Sequence, residues 1–312
     1  MESASENTTS TFIQASEVWV PKDGRLVHGG GDYGDLADFA AVSGKESFGP
    51  GEGLPGKAWA EGRPVVLKEF DGSYFKRTEA AKAAGLTCAV AVPVFDGAEL
   101  KAVLVVLCGD DAVRTGAIEV WREDNRLLML EDGYYGAAKH FEWVSKHTQF
   151  PRGQGLPGGV WASMTPMMMR DLGSGYRFIR ADAAGRAGLT TGLGLPVPTP
   201  GHDTYVLTLL SARGTPLARR FEMWDARSAV VGSKKEAILV DGICEREGAL
   251  WVDETGTPAR AKAWEGPVGR ALGSGLPVVE RGPAGLPAGY TTMVALPIHQ
   301  GGELAHIVAW YC

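Results

Sequence analysis

The sequence predicts an α+β protein of three similar domains, each a five- to six-stranded antiparallel sheet with flanking helices. A Glu-x-Trp triplet begins at Glu17, Glu119 and Glu222, which are 102 and 103 residues apart. A Gly-Leu-Pro-Gly motif ending in Trp occurs at residues 53–59 and again at residues 155–161. Within each copy, strand-like alternation gives way to helical spacing and then returns. A repeat of this length is large enough for each copy to have its own core.

The repeat places domain 1 at residues 13–112, domain 2 at residues 113–215 and domain 3 at residues 216–312. Residues 1–12 are rich in Ser, Thr and Glu, and we expect a flexible N-terminus there. About ten residues separate one copy from the next, so we expect a tandem repeat with short linkers.

The elements of domain 1 follow in order from local signals. Asp23-Gly24 separates two apolar runs, which predicts a hairpin, because Asp-Gly tolerates the positive φ of a tight turn. Apolar residues between 36 and 42 share one helical face. Residues 65–67 read as a short strand, and residues 79–84 as an Ala-rich helix capped by Gly85. A second, more apolar hairpin follows, with strands at residues 89–95 and 100–108.

Composition excludes several classes of function. The net charge is -6 and the pI is about 5.6, with Lys and Arg scattered along the chain, so we expect no nucleic-acid partner. Apolar runs are strand-sized and the N-terminus is polar, so we expect neither export nor membrane insertion. The four cysteines show no CxxC spacing, which favours a reducing cytoplasm and argues against a structural metal site.

The order of these motifs resembles the GAF domain family, and in particular the variety found in bacterial sensor kinases. The resemblance rests on the first hairpin and helix, Gly-Leu-Pro-Gly with its Trp, a Phe-x-Arg triplet, the Ala-rich helix and an Ala-x-Pro hairpin. Phe-x-Arg occurs at residues 75–77 and 178–180. The match covers residues 13–110 and 115–213, and a weaker form covers residues 218–312. GAF domains are usually joined to effectors by long signalling helices, and the short linkers here lead us to expect a tandem repeat without an output domain.

The resemblance implies a ligand pocket on one face of each sheet, roofed by residues 70–84 in domain 1 and 172–187 in domain 2. Aromatic side chains would form its walls and an arginine would contact a polar or anionic ligand. A purely structural role stays open, with each tryptophan in a core and each arginine in an ion pair. The candidate ligand-binding residues are Trp59, Phe70, Tyr74, Phe75, Arg77, Cys88, Trp161, Tyr176, Phe178 and Arg180.

The third copy is shortened at the roof. The two prolines that flank the roof are 29 residues apart in domain 1 and 30 in domain 2, but only 20 in domain 3, where they are Pro277 and Pro297. The missing residues include Phe-x-Arg and the Ala-rich helix. We therefore expect domain 3 to lack a roofed pocket and to serve packing or partner contact.

Catalytic signals are weak. The six histidines form no HExxH motif and no GxSxG is present, so we assign no catalytic or metal-binding residue. A cysteine-dependent reductase of the free methionine sulfoxide kind, acting through Cys88, is a third alternative. The cofactor is unknown. Bilin is disfavoured because neither roof contains Cys or His, whereas haem stays open because an axial His can lie anywhere around a pocket.

We therefore predict a non-enzymatic, cytoplasmic sensor that binds a small molecule in domain 1, with domain 2 a further candidate. Ligand contacts would order the roof, and the ordered roof would alter a surface seen by a separate protein partner in signal transduction. The alternative is a pocketless GAF scaffold or protein-protein interaction module. Ligand identity, oligomeric state and partner cannot be read from the sequence.

Overall fold

The computed structural model describes residues 11–109, 111–174, 177–201, 203–231, 234–250, 256–282 and 285–312. Within them, three antiparallel sheets carry seven helices, which confirms the predicted α+β class. No helix in this part of the chain reaches the length and hydrophobicity needed to cross a bilayer. Its Cys, His, Asp and Glu side chains form no cluster suited to a metal ion, and the four cysteines are free.

Domain 1 has a six-stranded sheet in the order β3-β2-β1-β6-β5-β4. The turn between the first two strands has φ of 49° at Asp23 and 74° at Gly24, as the Asp-Gly signal predicted. The elements are β1 (Ile13–Lys22), β2 (Arg25–Asp32), α1 (Ala37–Ser43), β3 (Ser47–Phe48), α2 (Gly53–Glu61), β4 (Val65–Leu67), α3 (Thr78–Ala83), β5 (Leu86–Asp96) and β6 (Glu99–Gly109).

Domain 2 repeats this arrangement element for element, with sheet order β10-β11-β12-β7-β8-β9. Its helix α6 corresponds to α3 and ends at Gly188, which has a φ of 71°. The elements are β7 (Thr115–Asp124), β8 (Leu127–Gly136), α4 (Lys139–Lys146), β9 (Gln149–Pro151), α5 (Gly155–Ser163), β10 (Met167–Arg170), α6 (Ala181–Ala187), β11 (Leu189–Val197) and β12 (Tyr205–Ala212).

Domain 3 differs in two places. Its sheet has seven strands rather than the expected five or six, because β16 pairs with a long β14 beside the main order β15-β14-β13-β19-β18-β17. Among its described residues, no helix lies between β17 and β18. The elements are β13 (Arg220–Val231), β14 (Lys234–Cys244), β15 (Gly248–Ala249), β16 (Arg260–Lys262), α7 (Gly266–Ser274), β17 (Val278–Arg281), β18 (Thr292–Gln300) and β19 (Glu303–Tyr311).

The Gly-Leu-Pro-Gly motif is explained by packing. It opens α2 and α5, and its counterpart opens α7, with first-glycine φ angles of 60°, 61° and 67°. A Cβ on the last glycine of each motif would lie 2.0, 2.3 or 2.1 Å from a carbonyl oxygen of the preceding loop. Only glycine permits this approach of helix to loop. The last glycines are Gly56, Gly158 and Gly269.

The three sheets share one core. Each sheet packs its helices on one face and turns its other face towards the other two sheets, where apolar side chains from all three domains form a single cluster. The sequence predicted separate cores, and those exist beneath the helices, but the common core was not foreseen. Representative members are Val92, Leu104, Leu195, Leu207, Leu296 and Val308, all at most 4% exposed.

Phe12 also joins the common core, although the sequence assigned it to a flexible N-terminus. It is fully buried, its ring lies 5.3 Å from that of Tyr134, and its amide donates to Pro216. Burying an aromatic ring is favourable and opposes the entropy that the backbone loses when it is ordered. The other residues of the predicted flexible segment, apart from Thr11, lie outside the described residues.

Ion pairs close the three domains into a ring. A basic residue four positions after the first roof proline reaches an aspartate on the second strand of the next domain, from 1 to 2, from 2 to 3 and from 3 to 1. The pairs are Lys68–Asp132 at 2.5 Å, Arg170–Asp241, and Arg281–Asp32 at 3.4 Å. The same heterologous contact is therefore used three times, and the third use returns to domain 1.

Candidate functional site

A buried ion pair ties the roof of domain 1 to its sheet. Arg77, at the start of α3, donates from Nη1 to Glu17 Oε1 and from Nη2 to Glu17 Oε2, the second bond being 2.9 Å long. It also donates to Ser43 at the end of α1. The two side chains are 1% and 0% exposed. Trp19 completes the group by donating its indole N–H to Glu17 Oε2 at 3.1 Å.

Domain 2 repeats the group with two more donors. Arg180 binds both oxygens of Glu119 and the hydroxyl of Ser145, with a 2.9 Å bond to Oε2. Three further side chains donate to the same carboxylate, namely Trp121 at 3.1 Å, Tyr135 at 3.1 Å and Thr208 at 2.8 Å. A buried carboxylate with this many donors is fully satisfied by protein groups.

Electrostatics keep both carboxylates charged. Burial by itself raises the pKa of Glu17, but the charge and hydrogen bonds of Arg77 outweigh it and hold that pKa below its ordinary value. The pKa of Glu119 is lowered in the same way, with Arg180 opposing burial and Thr208 assisting. The pairs are therefore ionised wherever the protein is folded near neutral pH.

Aromatic rings enclose each guanidinium. In domain 1, Arg77 lies 4.9 Å from the ring of Phe39 and 5.2 Å from that of Phe75, and Phe75 stacks on Phe70 at 4.2 Å. In domain 2, Arg180 lies 4.6 Å from Phe141 and 5.2 Å from Phe178. Cation–π contacts between desolvated groups strengthen such an anchor. The predicted pocket walls Phe70, Phe75 and Phe178 are thus 3–5% exposed and packed against protein.

Domain 3 keeps the carboxylate and changes its partner. Glu222 accepts from Trp224 at 3.0 Å and from Tyr311 at 2.7 Å, but its arginine is Arg220, two residues before it on β13, at 2.6 Å. Because the arginine comes from the same strand, the buried charge is balanced without a roof. This arrangement explains how domain 3 tolerates the shorter segment between β17 and β18.

The remaining predicted site residues lie in different surroundings. Trp59 and Trp161 are partly buried on α2 and α5. They pack against the cores beneath the helices of their own domains, which we call the front-face cores. Tyr74 is 38% exposed, with the Lys57 ammonium 5.1 Å from its ring centre. Tyr176 lies outside the described residues. The described candidates therefore divide between buried cores and the surface.

Cys88 requires a correction. It was expected to face the ligand beneath the roof of domain 1, but its side chain belongs to the common core on the opposite face of the sheet. Its strand neighbour Ala89 faces the roof instead, because successive residues of a strand point to opposite faces. Burial raises the pKa of the Cys88 thiol well above its ordinary value.

A cleft of about 370 Å³ lies beside the roof of domain 2. Helix α4 forms one wall, and the segment that starts α6 forms the other, bringing together apolar and cationic side chains. Next to it, Trp143 is 59% exposed, with the rings of His140 and His147 at 6.4 and 4.4 Å. The lining residues are His140, Val144, Ile179, Arg180, Ala181, Asp182, Ala183 and Arg186.

The same surface in domain 1 has a different character. We aligned the two domains by matching the serine and the arginine of each buried group. In this alignment Ala41 corresponds to Trp143, and Lys76 corresponds to Ile179. Asp38 likewise replaces His140. Large exposed apolar side chains on this face are therefore a property of domain 2, not of the repeat.

Sequence reasoning missed Glu17 and Glu119, although the signal was present. The Glu-x-Trp triplet was used only as a marker of the repeat, yet a glutamate at an inward-facing strand position needs a buried partner. The arginine of Phe-x-Arg was the available cation in domains 1 and 2.

Comparison with known proteins agrees with the fold. Residues 9–123 match the model of the GAF domain family. No curated protein matches the sequence.

Several solved structures are similar to part of the chain. They include the "A. Aeolicus nlh2 gaf domain in an inactive state" (21% identity, 31% of this chain and 58% of that chain, TM-score 0.26). Others are fRMsr of Staphylococcus aureus in its reduced form (20%, 31% and 56%, 0.25) and the GAF domain of a two-component sensor histidine kinase from Bacillus halodurans (15%, 31% and 65%, 0.24). The match spans little more than half the length of the first two.

Proposed function

We propose that this chain is a non-enzymatic, cytoplasmic regulatory protein that senses a small molecule through domain 2 and passes the change to a protein partner. The observation that carries the proposal is the cleft between α4 and the roof of domain 2. Its volume lies in the range of small-molecule sites, and it joins an apolar wall to polar groups. Val144 and Ile179 supply the apolar wall, and His140 and Arg186 supply polar contacts.

A ligand in this cleft would act on the roof. The wall from Ile179 to Ala183 includes Arg180, whose guanidinium holds Glu119 on β7. The neighbours of Glu119 on that strand, Ile118 and Val120, lie in the common core. A shift of the roof would therefore reach β7 and, through packed side chains, the other two domains.

Cysteine chemistry receives no support that would favour an enzyme. Burial raises the pKa of both Cys88 and Cys108, so the reactive thiolate is disfavoured. Neither thiol is exposed to solvent. These facts favour the non-enzymatic proposal over a cysteine-dependent reductase.

The first experiment is native mass spectrometry of the purified protein under gentle and then denaturing conditions, together with its visible absorption spectrum. A released small molecule identifies the ligand. Its affinity is then measured for Val144→Trp, which fills the cleft, and for the matched control Val42→Trp at the equivalent position of domain 1. We expect binding to be lost only in the first variant.

Two results would contradict the proposal. One is a ligand whose binding survives Val144→Trp but is lost with Val42→Trp. The other is equal amide hydrogen exchange of residues 177–187 with and without the bound ligand, since the mechanism requires that the ligand orders this segment.

A scaffold without a ligand is the second candidate. It is favoured by the way side chains of domain 2 fill its own interior, because Met167 and Met169 pack into the front-face core and Met168 into the common core. Methionine fills irregular space well. In that case the exposed Trp143 would mark the partner surface, and Trp143→Ala would abolish partner binding without changing stability.

A further inference from the structure

We propose that a small dianion of the phosphate or dicarboxylate class binds where the last turn of domain 2 meets domain 3, in a cleft lined by Arg219 and Arg246. This cleft has a volume of about 210 Å³. It shares no lining residue with either predicted roof or with the cleft of domain 2. The other lining residues are Gly214, Pro216, Glu245, Gly289 and Tyr290.

Arg246 is held in place by three contacts. Its guanidinium lies 5.1 Å from the ring centre of Tyr290 and donates to the carbonyl of Ala288 at 2.7 Å. A Cβ added to Gly289 would lie 2.6 Å from its Nη1, so the arginine packs directly on the glycine backbone. A guanidinium fixed in this way loses little rotamer entropy when it binds an anion.

Arg219 is held in position by two backbone hydrogen bonds within domain 3. Its amide donates to Tyr311 at 2.9 Å, and its carbonyl accepts from the amide of Glu245 at 2.9 Å. Residue 219 therefore sits at the junction of β13, β14 and β19. The side chain is partly buried, which strengthens its attraction for an anion relative to a fully solvated charge.

Neither arginine is held in a close ion pair by the part of the chain that the structure describes. No ion pair within 4.0 Å involves Arg219 or Arg246 there, whereas the nearby carboxylates of Glu222 and Glu247 are engaged by Arg220 at 2.6 and 3.3 Å. Two guanidinium groups and one carboxylate line the cleft, so its charged side chains sum to a positive charge in a protein with a net charge of -6. Arginine forks match carboxylate and phosphate oxygens.

Glu245 is the acidic residue of the lining, and its negative charge would repel a bound anion. Burial raises the pKa of its carboxyl, although the charge of Arg219 opposes that shift. Its carboxylate offsets part of the positive charge of the two arginines. It also gives the proposal a signature, because removing its charge should strengthen anion binding while removing either arginine should weaken it.

The test is calorimetric titration of the full-length protein with sulfate and with succinate at constant ionic strength. Sulfate is a dianion across the working pH range, and succinate represents the dicarboxylates. We expect Arg219→Gln and Arg246→Gln each to weaken binding of the preferred anion at least tenfold, and Glu245→Gln to strengthen it several-fold. Arg126→Gln, on a distant exposed turn of domain 2, should leave it unchanged.

The outcomes separate clearly. Binding of either anion with opposite effects of the arginine and glutamate variants supports the site, and the stronger anion identifies the class. No binding of either anion at millimolar concentration would overturn the proposal, as would equal weakening by Arg126→Gln. Arg246→Lys keeps the charge and guards against misfolding, and it should bind with intermediate affinity because lysine lacks the fork. Loss of the proposed sensing in domain 2 would leave these results unaffected.

Discussion

Arg77→Met tests whether the buried ion pair fixes the roof of domain 1. The substitution leaves Glu17 buried, with 0% side-chain exposure, and removes the two guanidinium bonds to its oxygens. The neutral donors that remain near that carboxylate, the indole of Trp19 and the hydroxyl of Ser43, carry no positive charge to balance it. Leaving a buried charge without its partner costs about 3–5 kcal/mol, and we expect that loss in the free energy of unfolding.

The assay is equilibrium unfolding in urea, which does not screen charges, followed by tryptophan fluorescence and circular dichroism. Lys82→Met is the matched control, because Lys82 lies on the same roof helix but its pair with Asp71 is 50% and 70% exposed. An exposed pair contributes less than about 1 kcal/mol. The double variant Arg77→Met with Glu17→Gln should recover most of the loss, since the uncompensated charge is gone.

The pH dependence gives a second readout. In the wild-type protein the pKa of Glu17 is lowered by folding, so its contribution is present above the unfolded pKa of about 4.3 and is lost as pH falls through the folded value. In Arg77→Met, the guanidinium no longer opposes burial, so the pKa of Glu17 is raised instead and the variant is destabilised most at high pH. The difference in the free energy of unfolding between wild type and variant should therefore be smaller at pH 5 than at pH 7.

If Arg77→Met lowers the free energy of unfolding by less than about 1 kcal/mol, or by the same amount as Lys82→Met, this reasoning is refuted. So would a difference between wild type and variant that stays constant with pH. Either result would mean that the roof is held by its aromatic packing rather than by the ion pair.

Three further outcomes follow from the fold. Arg170→Met should destabilise the seam between domains 2 and 3 by roughly 1–2 kcal/mol, measured by urea unfolding, because it removes a half-buried ion pair and a 3.0 Å bond to Gly242. Gly158→Ala should lower the free energy of unfolding by at least about 1–3 kcal/mol, because its Cβ would lie 2.3 Å from a backbone oxygen. Gly44→Ala is the control and should be close to neutral in thermal denaturation, because its Cβ would lie 3.6 Å from the nearest atom and its φ is -63°. In the native protein, Cys88 should not react with a thiol reagent until urea unfolds the chain, because it is fully buried and its thiol pKa is raised; rapid native labelling would show that the common core opens.

Local signals predicted the elements of each domain because those signals act within a few residues. The strand at residues 65–67 and the helix capped by Gly85 occur as expected, since a short apolar run and a left-handed glycine need no distant partner. The loss of the roof helix in domain 3 was predicted from spacing for the same reason. Domain boundaries drawn from the repeat stay a prediction.

The common core lay beyond such reasoning, although a trace of it was visible. Strand β6 is buried along nearly its whole length, from Leu100 to Gly109, with Lys101 as the exception, so both of its faces are covered. A run that is apolar on both faces indicates a second packing layer. The sequence showed the run, but no local rule names what covers the second face.

The candidate site was predicted by residue type and not by arrangement. Phe75 and Arg77 belong to the roof segment and are buried, but the groups that Arg77 contacts come from β1 and α1, more than thirty residues away. Cys88 was assigned to the wrong face because a single strand residue cannot be oriented without knowing the register. The cleft of domain 2 depends on two helices whose separation the sequence does not encode locally.

The ring of three domains has a consequence for how such a molecule can change over time. Three separate identical chains around one axis would carry every substitution three times, so losing one roof would mean losing all. When the three domains are joined in one polypeptide, a residue can change in one domain alone. The common core is still formed by apolar faces of all three sheets. Among the described residues, domain 3 has no helix between β17 and β18, and domain 2 carries Trp143 at a position where domain 1 has alanine. The covalent link thus turns a symmetric scaffold into one that supports a division of labour.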